Sequence, residues 1–171
     1  GVSGDRKFDL NAHFSSLNFK EAIGVGYSFS RVEQGMPGYG YLNQKKSSSD
    51  DVLIPTDCGL YKWDLNTQKE TFFISIEEIA SSCNPITTKD CFHFVTHALL
   101  NKTASKIAFI HRWVESSNID IRRSRLMLLD VESQSLLQLS FGNMISHFHW
   151  LTENSIIAYC NVPDLGDRYC I

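Results

Sequence analysis

Two stretches of the chain read alike: Tyr61-Lys62-Trp63-Asp64-Leu65-Asn66-Thr67-Gln68 and Met127-Leu128-Leu129-Asp130-Val131-Glu132-Ser133-Gln134. Each runs from a strand-like segment into Asp, an aliphatic residue and a short polar turn that ends in Gln. A second apolar strand follows in both, Thr71-Phe72-Phe73-Ile74 in the first and Leu136-Leu137-Gln138-Leu139 in the second. From Asp64 to Asp130 the spacing is 66 residues. A recurring hairpin implies a repeat architecture, in which no unit buries its own apolar face and neighbours must stack.

Working outward from the second copy, the rhythm is regular from His97 onward. His97-Ala98-Leu99-Leu100 reads as a short apolar strand, and Lys102 to Ser105 as a polar turn. Ile107-Ala108-Phe109-Ile110-His111-Arg112-Trp113 follows as a strand rich in β-branched and aromatic residues. A polar loop over Glu115 to Ser124 leads to a strand over Arg125 to Asp130, and Leu136 to Leu139 returns as a fourth. Four antiparallel strands in about 45 residues make the unit of a propeller blade. The unit then restarts: Ile145-Ser146-His147-Phe148-His149-Trp150 mirrors the strand at His97, and Ile156 to Cys160 mirrors Ile107 to His111. The sequence therefore predicts an all-β fold, a partial β-propeller built of four-stranded antiparallel blades. It forms one propeller-type domain over 1–171 that reads as a fragment of a larger array, with a complete blade over 97–140 and a truncated one over 145–171. The front is less regular. Lys7 to Phe14 reads as a strand, 15–57 as an irregular, loop-rich insertion, and Glu77-Glu78-Ile79-Ala80 as one helical turn.

Composition narrows the function. With 43% hydrophobic and 20% charged residues, the 171-residue chain is an ordinary globular protein with enough apolar matter for a core. A formal net charge of −3 argues against a general nucleic-acid or membrane-surface binder, which needs a basic face. The one dense basic run, Arg122-Arg123-Ser124-Arg125, reads as a solvated loop ahead of a strand. There is no stretch of about 18 apolar residues, the length a membrane span needs. No signal peptide is read at the polar start. Five cysteines, odd in number and without a CxxC pair, read as reduced thiols and favour a cytoplasmic setting. The Asn101-Lys102-Thr103 sequon falls in an expected tight turn. No P-loop, dinucleotide fingerprint or nucleophile elbow occurs, and Gly24-Val25-Gly26 reads as a turn.

Four of the six histidines, His97, His111, His147 and His149, sit on or beside the expected strands. Residues two apart on a strand share a face, so His147 and His149 are neighbours while Phe148 and Trp150 face the other way. His97 occupies the matching place one unit earlier. If the first strand of each unit lines a common axis, these three imidazoles converge there. Such a cluster suits a divalent transition metal.

The run from His97 to Cys160 resembles the oligogalacturonate lyase family of propellers. The carrying residues are His97-Ala98-Leu99-Leu100-Asn101, Phe109-Ile110-His111-Arg112-Trp113, Arg125-Leu126 and Ser146-His147-Phe148-His149-Trp150. The resemblance implies a divalent metal, usually manganese, in the propeller channel, held by three histidines and a glutamine. His97, His147 and His149 match the histidines, whereas Met144 stands where the family has its glutamine. The resulting expectation is a carbohydrate-related propeller with a glycan ligand and metal-assisted, lyase-like chemistry on polysaccharides or oligosaccharides. His111 would act as base and Arg112 as charge neutraliser. The competing class is a non-catalytic propeller that displays loops to a protein partner. Exposed blade edges would let either one self-associate.

Overall fold

A computed structural model of the chain describes residues 13–41, 48–82, 90–115, 118–140 and 142–171. The described residues form three antiparallel sheets, each following chain order. The first comprises β1 (Ser16–Asn18), β2 (Ile23–Tyr27), β3 (Gly59–Asp64) and β4 (Lys69–Ser75). The second comprises β5 (Cys91–Leu100), β6 (Lys106–Glu115), β7 (Asn118–Asp130) and β8 (Leu136–Gln138). The third comprises β9 (Ile145–Trp150), β10 (Ile156–Val162) and β11 (Gly166–Cys170). Two short helices, α1 (Phe29–Gly35) and α2 (Ile76–Ser81), lie between strands. The all-β class is as expected. Among the described residues no helix is long and apolar enough to cross a membrane.

The repeated hairpin has one physical form in both copies. β3 and β7 are the third strands of their sheets, and each pairs with the strand after its turn. Asp64 Oδ1 accepts the N–H groups of Asn66 and Thr67 at 2.8 and 3.0 Å. Asp130 Oδ1 accepts those of Glu132 and Ser133 at 3.2 and 2.9 Å. Local carboxylate-to-backbone bonds of this kind favour turns over continued strand. Gln68 and Gln134 close the turns at the same left-handed φ of 56°.

Elsewhere the structure corrects the reading. The stretch 15–57, expected to be an irregular insertion, holds β1, β2, α1 and a 3₁₀ turn at Ser48–Asp51. Its second strand, Ile-Gly-Val-Gly-Tyr, was disguised as a turn by two glycines. A Cβ on Gly26 would sit 2.3 Å from the His13 carbonyl, so the close approach of the chain requires glycine there. The polar segment before Arg125 is strand rather than loop, since β7 begins at Asn118 and pairs with β6 as far back as Arg122 opposite Val114, with Asn118 opposite Glu115 beyond a register break. β5 begins at Cys91, well before His97. Of the expected strand Lys7 to Phe14, residues 7–12 lie outside the described residues, as does part of the polar run after Tyr41.

The second sheet is packed on both faces. On one, Val95, Ile107, Phe109 and Met127 meet Val25, Leu60, Ile74 and Ile79 of the first sheet and α2. On the other, Ile110 and Leu126 meet Ile145, Ala158 and Cys160 of the third. Each such side chain contributes about 1.5–3 kcal/mol of burial. Polar bonds set the register of the third sheet against the second. Ser124 Oγ donates to the Ile145 carbonyl at 3.0 Å and accepts its N–H at 2.9 Å. Trp150 Nε1 donates to the Leu99 carbonyl at 3.1 Å. Buried Asn101 donates to Glu153 Oε2 at 3.0 Å, so its side-chain nitrogen is engaged inside the fold rather than presented as a sugar acceptor.

The insertion between β2 and β3 is pinned by a buried cation. Arg31 of α1 is 1% exposed. Its Nε donates to the His93 carbonyl at 2.6 Å, and its terminal nitrogens donate to the carbonyls of Ser49, Asp50 and Leu53 at 3.0, 3.2 and 2.7 Å. Its guanidinium also lies 4.1 Å from the centre of the Phe92 ring. The fork thus gathers α1, the 3₁₀ turn and β5 around one group. Replacing it leaves several buried carbonyls short of a donor. Arg31→Met is expected to lower the unfolding free energy by about 3 kcal/mol. Urea denaturation measures this, with Arg31→Lys recovering only part of the loss.

Candidate functional site

A cleft of about 350 Å³ opens where the first strand of the third sheet meets the second sheet, and its lining includes Tyr39, His97, Arg112, Arg122, Met144 and His147. His97 enters it because β5 breaks register against β6 between Thr96 and Leu99. At that bulge His97 takes a left-handed φ of 55°, and its N–H donates to the Tyr27 hydroxyl at 3.1 Å. A bulge of this kind re-aims a side chain that regular pleating would place elsewhere. His147 arrives from β9, whose start is fixed by the bonds between Ser124 and Ile145. The His97 and His147 rings stand edge to face with centroids 6.3 Å apart.

Arg112 supplies the charge. It is 8% exposed, and its Nε donates to Thr96 Oγ1 at 3.0 Å. Among the described residues its two terminal nitrogens have no hydrogen-bond partner. Burial, with Arg122 nearby, lowers its pKa to about 10, so it keeps its proton at neutral pH. Burial first, then Arg112 and His147, pushes the His97 imidazole below its ordinary pKa. The cleft therefore pairs two guanidiniums with a neutral imidazole.

The other face of the same strands carries a different polar group. His111 and His93 are fully buried, with His93 Nδ1 and His111 Nε2 3.0 Å apart. Arg125 Nε donates to His111 Nδ1 at 3.0 Å, so that nitrogen accepts and Nε2 carries the proton toward His93. Arg125 also donates to the Ile79 and Ala80 carbonyls near the end of α2 at 3.3 and 3.5 Å, and lies over Trp113 at 5.4 Å. His111 is thus closed in at both nitrogens, deep between the first and second sheets.

These positions revise the expected site. His97, His147 and Arg112 come together. His111 does not join them, because consecutive residues on a strand point to opposite faces. The expectation that His111 and Arg112 work side by side is therefore corrected: His111 cannot reach a ligand in the cleft. His149 shares a face with His147 but lies one pleat further along β9, outside the cleft lining. Met144 does line it, placing a thioether where the resemblance implies an amide. The arginine run read as a solvated loop divides by alternation. Arg122 and Ser124 turn to the cleft side, and Arg125 to the buried network. The sequence reading missed Arg122 and Arg125; the signal for the last was an arginine directly before the apolar Leu-Met-Leu-Leu run.

Does the donor set fit a divalent metal? Among the described residues no group of three or more His, Cys, Asp or Glu side chains could hold one. Two imidazoles on one ion hold their ring centres about 5 Å apart at a tetrahedral angle and about 6.5 Å apart across an octahedral ion, given metal–nitrogen bonds near 2 Å. His97 and His147 stand 6.3 Å apart between ring centroids, beside two cationic guanidiniums that oppose a further cation. The described lining supplies two imidazoles with no carboxylate or thiolate beside them, a sparse donor set for the manganese implied by the resemblance. In comparisons with known proteins, no family model, no curated protein and no solved structure matches the chain.

The buried network has a pH signature. Burial, then the charge of Arg125 and the neighbouring His93, hold the His111 pKa well below its ordinary value. The unfolded chain therefore binds a proton that the folded one refuses. The His111 contribution is fully present above about pH 6.5 and is lost as pH falls below it. Unfolding free energies measured from pH 8 to pH 5 should fall more steeply for the native protein than for His111→Gln, by up to about 1.4 kcal/mol per pH unit.

Proposed function

We propose that the three sheets are consecutive blades of a β-propeller, and that the chain is a carbohydrate-related propeller whose cleft receives the carboxylate of an acidic glycan. The observation that carries the proposal is Arg112, 8% exposed, with both terminal nitrogens unpartnered among the described residues and opening into the cleft. A guanidinium fork in that state matches a carboxylate with two parallel hydrogen bonds. Arg122 adds long-range attraction, and His97 and His147 supply hydrogen-bonding groups around the bound sugar. An anion there also removes the electrostatic cost of burying Arg112.

Lyase-like chemistry is a second reading, favoured by the placing of His97. A uronate carboxylate neutralised by Arg112 leaves the C–H next to it more acidic; a neutral imidazole in the same cleft can take that proton as the neighbouring glycosidic C–O bond breaks, the carbon–carbon double bond forms, and the departing sugar oxygen takes a proton from water. In this reading His97 replaces His111 as base. The metal expectation, now resting on His97 and His147 alone, is checked by metal analysis of the purified protein. Stoichiometric manganese or zinc that His147→Ala loses would restore it. Among the described residues β11 is an edge of the third sheet, its Tyr169 73% exposed, and self-association through such an edge belongs to the same proposal.

Calorimetric titration with glucuronate, galacturonate and their neutral hexose counterparts tests the carboxylate reading. A uronate is expected to bind and the hexoses not. Arg112→Gln should weaken binding by about ten- to a hundredfold, the size of a charged hydrogen-bond pair. Affinity should rise as pH falls from 7.5 to 5.5, because a bound anion offsets the charge that keeps His97 unprotonated. Equal binding of hexose and uronate, or no binding of either, would overturn the carboxylate reading and leave the non-catalytic interaction module in its place.

A further inference from the structure

The segment after α1 presents two tyrosines to solvent in a way that a surface loop does not require. Tyr39 is 67% exposed and Tyr41 is 49% exposed, yet the backbone between them is tightly held. The Glu33 carboxylate accepts the N–H of Gly38 with both oxygens at 3.0 Å, and Glu33 Oε2 accepts the N–H of Gly40 at 3.0 Å. Tyr39 N–H donates to the Met36 carbonyl at 3.1 Å, and Tyr41 N–H to the Phe29 carbonyl at 3.3 Å. Gly38 turns the chain at φ +89°, and a Cβ on Gly40 would meet the Phe29 carbonyl at 2.2 Å. A side chain at either position would displace the loop. The tyrosines are therefore displayed from a preset backbone.

The Tyr41 ring is placed as well as displayed. Tyr41 stacks on Phe29 with centroids 4.5 Å apart and planes 11° off parallel, and Phe29 stacks on Tyr27 at 4.7 Å. His13 closes on the outer pair, 5.5 Å from Tyr41 and 6.1 Å from Phe29. The column ends at Tyr27, whose hydroxyl accepts the His97 N–H. Tyr39 itself lines the cleft with Arg112 and His97. A rigid aromatic face beside a cationic pocket is a two-part recognition surface. The pocket takes the charged group, and the ring takes a flat, C–H-bearing neighbour.

We infer that Tyr39, supported by Tyr41 and the Glu33 clamp, forms a ring-stacking subsite for the sugar unit next to the one whose carboxylate Arg112 holds. The inference rests on the acidic-glycan reading of the cleft and extends it: the preferred ligand is an oligosaccharide of at least two units rather than a free uronic acid. Tyr39 contacts the ligand directly. Tyr41 and Glu33 are positioning residues, acting through the loop.

The test titrates the full chain with a single uronic acid and with a uronate trisaccharide. The native protein should bind the trisaccharide more tightly. Tyr39→Ala should weaken trisaccharide binding about five- to tenfold, the size of an aromatic stacking increment, and leave the monosaccharide nearly unchanged. Tyr39→Phe should restore it. Glu33→Gln should weaken the trisaccharide alone, because a neutral amide is a poorer acceptor for the two glycine N–H groups. Tyr39 is mostly exposed, so its variants should fold. If Arg112→Gln loses both ligands while Tyr39→Ala binds the trisaccharide as tightly as native protein, the subsite falls and the carboxylate reading stands. If native protein binds neither, both fall together.

Discussion

Everything in this fold depends on the burial of β6 on both of its faces. From Ile107 to Val114 eight consecutive residues are buried, a pattern more familiar from the middle of parallel sheets than from an antiparallel one. The sheet it belongs to is covered by another sheet on each side, so every polar group on that strand must be satisfied inside the protein or open into a cavity. Two are charged or titratable, His111 and Arg112. Their different fates organise the molecule.

His111 points toward the first sheet, where nothing but protein surrounds it. It is kept neutral and bonded to Arg125 and His93, and Arg125 in turn reaches the carbonyl end of α2. The column ties three strands and a helix together and fixes the tautomer of each ring. Such a network specifies one packing arrangement because a half-satisfied version is costly. Arg112 points the other way, toward the seam between the second and third sheets. There Thr96 satisfies only one of its nitrogens, and the rest of the fork faces open space. One strand thus carries a structural histidine and a ligand-seeking arginine side by side in sequence, separated only by the pleat.

The cleft borrows its remaining parts from elements far apart in the chain. The Tyr27 hydroxyl, from the first sheet, bonds the backbone at the bulge that aims His97. Ser124 fixes the start of β9 and so brings His147 opposite. The insertion after β2 folds around Arg31 and delivers Tyr39 on a loop clamped by Glu33. None of these positioning contacts joins neighbours in sequence, and each concerns a backbone group rather than a pair of functional side chains. That is why the sequence reading found the histidines and missed what holds them.

What was legible from residues alone is what local physics repeats. The two Asp-headed turns could be read because a carboxylate bonding N–H groups two and three residues on is the same chemistry in both copies. The strands of the second and third sheets could be read because their apolar content exceeds that of their turns. The glycine-rich β2 and the arginine-rich start of β7 could not. Their strand character comes from neighbouring strands, which tolerate a missing side chain in one case and a polar one in the other. The placing of the histidines divided the same way. Alternation along β9 correctly put His147 beside His149, yet only the tertiary structure decided which of them meets His97. A bulge held by a tyrosine from another sheet turns one ring toward the cleft, and no pattern within the strand encodes where that second sheet will stand.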